Sequence, residues 1–123
     1  MRLSDLISAE LDEGRIFLDE KGHSGAVLTV CQPDGLGLRT LELGGRFAAR
    51  PDASAHAVVE IDPGQVGWRL AAYLSIWPDA DEASNTIDLG GIRTADPSHA
   101  EEEGRVLARR AYVSLWEYLE GRR

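Results

Sequence analysis

Three histidines, one cysteine and twenty-one acidic side chains are the groups in this 123-residue chain that could carry chemistry. His23, His56 and His99 stand dozens of residues apart. None has the i, i+3 or i, i+4 partner through which a helix presents two ligands to one metal, so neither a metal nor a cofactor is expected. His56 falls in the apolar run Ala55–Ile61 and reads as a half-buried sheet histidine, while His23 and His99 sit in a turn and in the first turn of a helix. Cys31 closes the run Ala26-Val27-Leu28-Thr29-Val30-Cys31, where a thiol behaves as a small hydrophobe. Its neighbours Val30 and Gln32 suggest neither an activating base nor the electropositive, exposed setting that a nucleophile needs.

Three glycine- or aspartate-rich strings also fall short of a chemical motif. Gly22-His23-Ser24-Gly25 lacks the residue that separates serine from the second glycine in a nucleophile elbow. Gly35-x-Gly37 has Thr40 in place of the third glycine and precedes a strand, whereas a dinucleotide fingerprint opens a helix. Asp79-x-Asp81 has no central glycine and meets Gly90 where a calcium loop needs its bidentate glutamate. Carboxylate pairs such as Asp12-Glu13 and Glu60-x-Asp62 are expected by chance among so many acids. Enzymatic activity is therefore not favoured.

The one concentrated feature is aromatic and acidic: Trp68, Tyr73 and Trp77, followed by Asp79, Asp81 and Glu82. Such combinations are enriched where proteins meet partners. Trp68, Trp77, Asp79, Asp81 and Glu82 are accordingly the candidate partner-binding residues, the competing reading being that the aromatics fill the core.

Charge narrows the partner class. The net charge is −8. Residues 1–97 hold 16 acids against 8 bases, and residues 98–123 hold 5 of each. Phosphate backbones repel such a surface, and the arginines at 105, 109, 110, 122 and 123 are interleaved with glutamates, so direct nucleic-acid binding is not expected. No charged-then-apolar leader opens the sequence and no apolar run approaches the ~20 residues that span a bilayer. With a single cysteine, these features predict a cytoplasmic protein without a membrane segment.

At this length one core is the default, and 43% hydrophobic with 28% charged residues is a globular composition. Ser4 reads as the cap of a first helix carrying Leu3, Ile7 and Leu11, with Gly14 as its stop. Ile16-Phe17-Leu18 then reads as extended, turning through residues 19–25 into a strand at Ala26–Cys31. Gln32-Pro33-Asp34-Gly35 is a turn, Leu36 to Leu43 a strand ending at Gly44-Gly45, and Ala55–Ile61 a further strand.

Val66–Trp77 is ambiguous. Strict alternation of Val66, Trp68, Leu70, Ala72, Leu74 and Ile76 fits a strand, yet Val66, Leu70, Tyr73, Leu74 and Trp77 also gather on one helical face. Asp62 as cap, Pro63 at the first helical position, Gln65 three residues on and Pro78 as stop favour a central helix, against the cost of Gly64 and Gly67. As a helix it would turn Trp68 away from its apolar face, so a second surface would have to cover that ring.

Thr86–Leu89 and Ile92–Thr94 form one bent strand or a tight hairpin around Gly90-Gly91. Ser98 and Glu101 make a capping box for a long last helix with Leu107, Ala108, Ala111, Tyr112, Leu115, Tyr118 and Leu119 on one face. The expected fold is thus a single α+β domain over residues 1–123, a mainly antiparallel sheet packed by N-terminal, central and long C-terminal helices.

This order of elements, with the small size and low pI, resembles the general plan of type III secretion chaperones, and Phe17-Leu18-Asp19-Glu20-Lys21-Gly22 is similar to their first strand and turn. The resemblance implies stoichiometric association with a protein partner, a behaviour shared by small acidic immunity proteins and phage inhibitors, and it carries over no functional residue. Two other readings stay open. One is a small-molecule or enzymatic domain with a pocket between sheet and last helix, using His56, Glu60 or Tyr112. The other is a structural homo-oligomer, such as a homodimer, packing Val106, Val113 or Trp68 across a symmetry axis.

Overall fold

The computed structural model describes residues 2–35, 37–64, 66–78 and 84–122. In chain order the elements are α1 (Leu3–Glu20), β1 (Val27–Val30), β2 (Arg39–Phe47), β3 (Arg50–Pro63), β4 (Trp68–Trp77), β5 (Asn85–Thr94) and α2 (Pro97–Leu119). The strands form one antiparallel meander in the order β1-β2-β3-β4-β5. Both helices cover the same face, α1 over β1 and β2, α2 over β3, β4 and β5. An α+β single domain with an antiparallel sheet is what the sequence predicts.

Alternation sets the two faces of the sheet. Leu41 and Leu43 of β2, Ala57, Val59 and Ile61 of β3, Leu70, Ala72, Leu74 and Ile76 of β4, and Leu89 of β5 point at the helices and are buried with Ile7, Leu11, Leu18, Leu107, Ala111 and Leu115 in one core. The opposite face carries Glu42, His56, Glu60, Arg69, Tyr73 and Asp88.

Because five strands, an odd number, separate the two helices, α2 returns in the same direction as α1. Side-chain contacts climb in register: Ile7 against Gly104, Glu10 paired with Arg109, Phe17 against Tyr112 and Trp116, and His23 beside Glu120. The helix N-termini therefore share one end of the molecule and the C-termini the other.

Several sequence expectations are corrected. Among the described residues there is no central helix: Trp68–Trp77 is β4, and Asp62 and Pro63, expected as cap and first helical residue, are the last residues of β3. The connection that follows is closed by the Gly64 amide donating to the Gly67 carbonyl at 3.0 Å. Gly67, at φ +87°, takes the left-handed conformation the loop requires. Alternation prevails over the helical face because both neighbouring strands are there to satisfy the backbone.

Gly14 does not stop α1. The helix runs on to Glu20, and Phe17-Leu18-Asp19-Glu20, compared above with a first strand, are helical. It begins at Leu3, after Arg2 and not Ser4, with no side-chain cap. The real stop is Gly22 at φ +88°, where the His23 amide reaches back to the Leu18 carbonyl at 2.8 Å. Likewise β2 passes through Gly44-Gly45 to Phe47, because the 14-residue β3 pairs along its whole length. Residues 85–94 form the bent strand of the two alternatives. The α2 cap lies just before the predicted box, the Asp96 carboxylate accepting from the Ser98 amide at 2.9 Å with Pro97 in the first turn.

Candidate functional site

Where the two helix N-termini meet, the ends of five segments leave a half-open cleft of about 460 Å³. Its apolar walls include Leu3 from α1, Pro33 from the β1–β2 loop, Ile61 and Pro63 from β3, Trp68 from β4, and Pro97 and Ala100 from α2. Its polar groups are Arg2, Ser4, Arg39 and Glu101.

Each wall is placed by the local sequence. Trp68 opens β4 opposite Pro63 and points to the helix side, in phase with Leu70, Ala72 and Leu74. Half-buried against the core, it leaves part of its indole in the cleft. Arg39 opens β2 opposite Ile61, held at the rim by the turn in which the Asp34 amide donates to the Leu38 carbonyl at 3.0 Å.

Arg39 is half-buried, and among the described residues it has no ion-pair or hydrogen-bond partner. The Arg2 and Glu101 side chains have none either. The cleft lining thus carries two arginines and one glutamate beside the two helix N-termini.

No family model, curated protein or solved structure matches the chain.

Among the described residues the cleft's polar side chains are two arginines, Glu101 and the Ser4 hydroxyl. Among the described residues no group of three histidine, cysteine, aspartate or glutamate side chains lies close enough to hold a metal ion. No described helix is long and apolar enough to cross a membrane.

Of the residues predicted to form one partner site, Trp68 and Trp77 are placed apart. Trp68 faces the helices at the start of β4, whereas Trp77 ends the same strand on the opposite face, 41% exposed and paired with Ser54. Nine residues of strand put about 30 Å between them. Asp79, Asp81 and Glu82 lie outside the described residues.

His56, Glu60 and Tyr112, named for an alternative pocket between sheet and last helix, are also divided. Tyr112 is buried between α1 and α2, while His56 and Glu60 lie on the open face of the sheet. There the Tyr73 hydroxyl donates to Glu60 Oε1 at 2.7 Å. Desolvation, then the hydrogen bond to Glu60 and the charges of Glu60 and Glu42, push the Tyr73 pKa well above the usual tyrosine range. Tyr73 is thus held neutral and engaged, the reverse of an activated base.

Sequence reading found Trp68 but missed Arg2, Arg39 and Pro33. An isolated arginine at a strand start carries no sequence signal, and only the meeting of five chain segments gives it a role.

Proposed function

We propose that this chain is a binding module that acts by stoichiometric association with a protein partner, accepting an apolar side chain flanked by a carboxylate into the end cleft. The observation that carries the reading is Arg39, a half-buried cation without a partner among the described residues, on the same cleft as the half-buried face of Trp68. An apolar wall supplies area and an unpaired guanidinium supplies a planar donor fork matched to a carboxylate. A half-open cleft of about 460 Å³ has room for one or two side chains still attached to a backbone outside it.

The test uses Trp68 as its own reporter. In a protein with Trp77→Phe and Trp116→Phe, titration with N-acetylphenylalanine shifts the Trp68 emission saturably, its amide does so at least tenfold more weakly, and Arg39→Met abolishes the difference. Equal response to acid and amide, or none at millimolar acid, removes the cleft from the function. With a purified partner, Arg39→Met weakens the complex while leaving the melting temperature unchanged. Should the free acid bind but no protein complex depend on Arg39, the module is a receptor for small carboxylic acids.

A further inference from the structure

The two edges of the sheet are finished differently. At β5 the register slips between Ala72 and Tyr73, and side chains close the resulting bulge. Arg110 Nη1 donates to the Leu89 carbonyl at 2.9 Å, and the Gly90 amide donates to Asp88 Oδ1 at 3.0 Å. A bulge, two capped backbone groups and the charges of Asp88 and Arg93 are the usual devices by which an edge refuses another strand.

At β1 the one protection is its shortness, four residues. Val27-Leu28-Thr29-Val30 has no charge, no proline and no bulge, and Val27 is 62% and Val30 42% exposed. Which backbone groups are open follows from the ladder. The Cys31 amide donates to the Thr40 carbonyl at 2.9 Å, so residues of that phase, 27, 29 and 31, turn their amides and carbonyls toward β2. Leu28 and Val30 turn theirs outward, with no hydrogen-bond partner among the described residues. That leaves two donors and two acceptors along one strand.

We propose that a second copy of this chain covers the edge, β1 pairing antiparallel with β1 of the partner about a two-fold axis at Thr29. In that register Leu28 of each copy faces Val30 of the other as a hydrogen-bonded pair, and all four outward groups of each copy are satisfied. The same operation sets Leu28 and Val30 of both copies together on the helix side of a ten-stranded sheet. On the other side Val27 packs toward Cys31. β1 itself carries no charge, so pairing strand to strand adds no like-charge repulsion between two chains of net charge −8. The interface is confined to four strand residues, so the dimer is a weak one that assembles with concentration.

The test combines sedimentation equilibrium from micromolar to millimolar protein with amide exchange at the same concentrations. The mass should rise toward twice the monomer, and exchange at the Leu28 and Val30 amides should slow at least tenfold with it. Val27→Lys/Val30→Lys should keep the circular dichroism spectrum and stay monomeric throughout. A wild-type chain still monomeric at millimolar concentration overturns the proposal. So does a dimer in which those two amides exchange unchanged, since it uses another surface such as the Val106–Val113 side of α2. The amide measurement needs no variant, so it decides the matter even if the lysines disturb folding.

Discussion

The backbone at Gly14 rests on the ring of Tyr112: a Cβ at position 14 would sit 2.5 Å from Cγ and Cδ2 of the tyrosine. Two turns back toward the helix N-termini, Gly104 receives Ile7 in the same way, with Cδ1 3.1 Å from where its Cβ would be. A glycine on each helix accepts a large side chain from the other, which is how two parallel helices approach closely over a shared core.

Gly14→Ala is therefore expected to destabilise the fold. Alanine gains about 1 kcal/mol of helix propensity over glycine. The contact with Tyr112 lies below van der Waals distance and involves a ring already packed on Phe17 at 5.5 Å, so it cannot yield without disturbing a second aromatic. Overpacking of this kind costs about 1–3 kcal/mol and outweighs the propensity gain. Denaturant melts of Gly14→Ala, Tyr112→Ala and the double variant check this: in the Tyr112→Ala background alanine at 14 should become neutral or stabilising. Additive effects would show that the two positions do not meet.

Why this glycine misleads a sequence reader is general to the molecule. Local signals do give the long α2 and its amphipathic face, the antiparallel character of the sheet and the turns at Asp34-Gly35 and Gly22. What they miss is set by distant residues. Gly14 looks like a helix stop until Tyr112, 98 residues on, is seen to need its space. Asp62-Pro63 looks like a helix start until both neighbours of the Trp68–Trp77 strand are in place. The cleft was legible only as Trp68, because its other walls come from residues 2–4, 33–39, 61–63 and 97–101.

The converged helix C-termini predict an acid-sensitive clamp. Glu120 Oε1 lies 3.1 Å from His23 Nε2 and accepts from Trp116 Nε1 at 3.1 Å. The hydrogen bond to His23 first, then that to Trp116 and the charges of His23 and Arg122, hold its carboxyl below the usual glutamate range. A carboxylate more acidic folded than unfolded adds stability that is present above the ordinary value of about 4.3 and is lost as pH falls through the lowered folded value. Glu120→Gln keeps the acceptor for Trp116 and removes the charge. Its melting temperature should fall below wild type at pH 6 and converge on it below about pH 4. A constant gap across that range would mean the charge is not what matters.

On the open face, Tyr73 and Glu60 predict a delayed alkaline titration. Burial and the 2.7 Å hydrogen bond to Glu60 raise the Tyr73 pKa, so the folded chain holds that proton more tightly than the unfolded chain. Stability from this group is complete below about pH 10 and declines as pH rises above it. Absorbance at the tyrosinate band should show one of the three tyrosines lagging. Glu60→Gln removes a charge while keeping an acceptor, and should bring the lagging step to lower pH. Glu60→Gln titrating like wild type would assign the delay to burial alone.

Arg50 poses a choice between opposed terms of similar size. Its Nη2 donates to the Tyr118 carbonyl in the last turn of α2 at 3.2 Å, and its guanidinium lies 5.1 Å from the Tyr118 ring centroid. The first sets a cation at the negative end of the helix dipole, and the second sets it over the ring's π face. A hydrogen bond from a charged donor contributes about 1.5–3 kcal/mol and an exposed cation–π contact about 0.5–1. Against them, Arg50 Nε is buried with no hydrogen-bond partner among the described residues, and an orphaned buried donor costs about 1–3 kcal/mol. The terms nearly cancel. Arg50→Met, which keeps the aliphatic stem on Tyr118 and removes both the capping donor and the orphan, should thus change stability by less than about 1 kcal/mol. Arg50→Ala also gives up the stem packing and should cost more. Chemical denaturation of the two variants separates the contributions: a loss above about 2 kcal/mol in Arg50→Met would show that the helix cap outweighs the unsatisfied Nε.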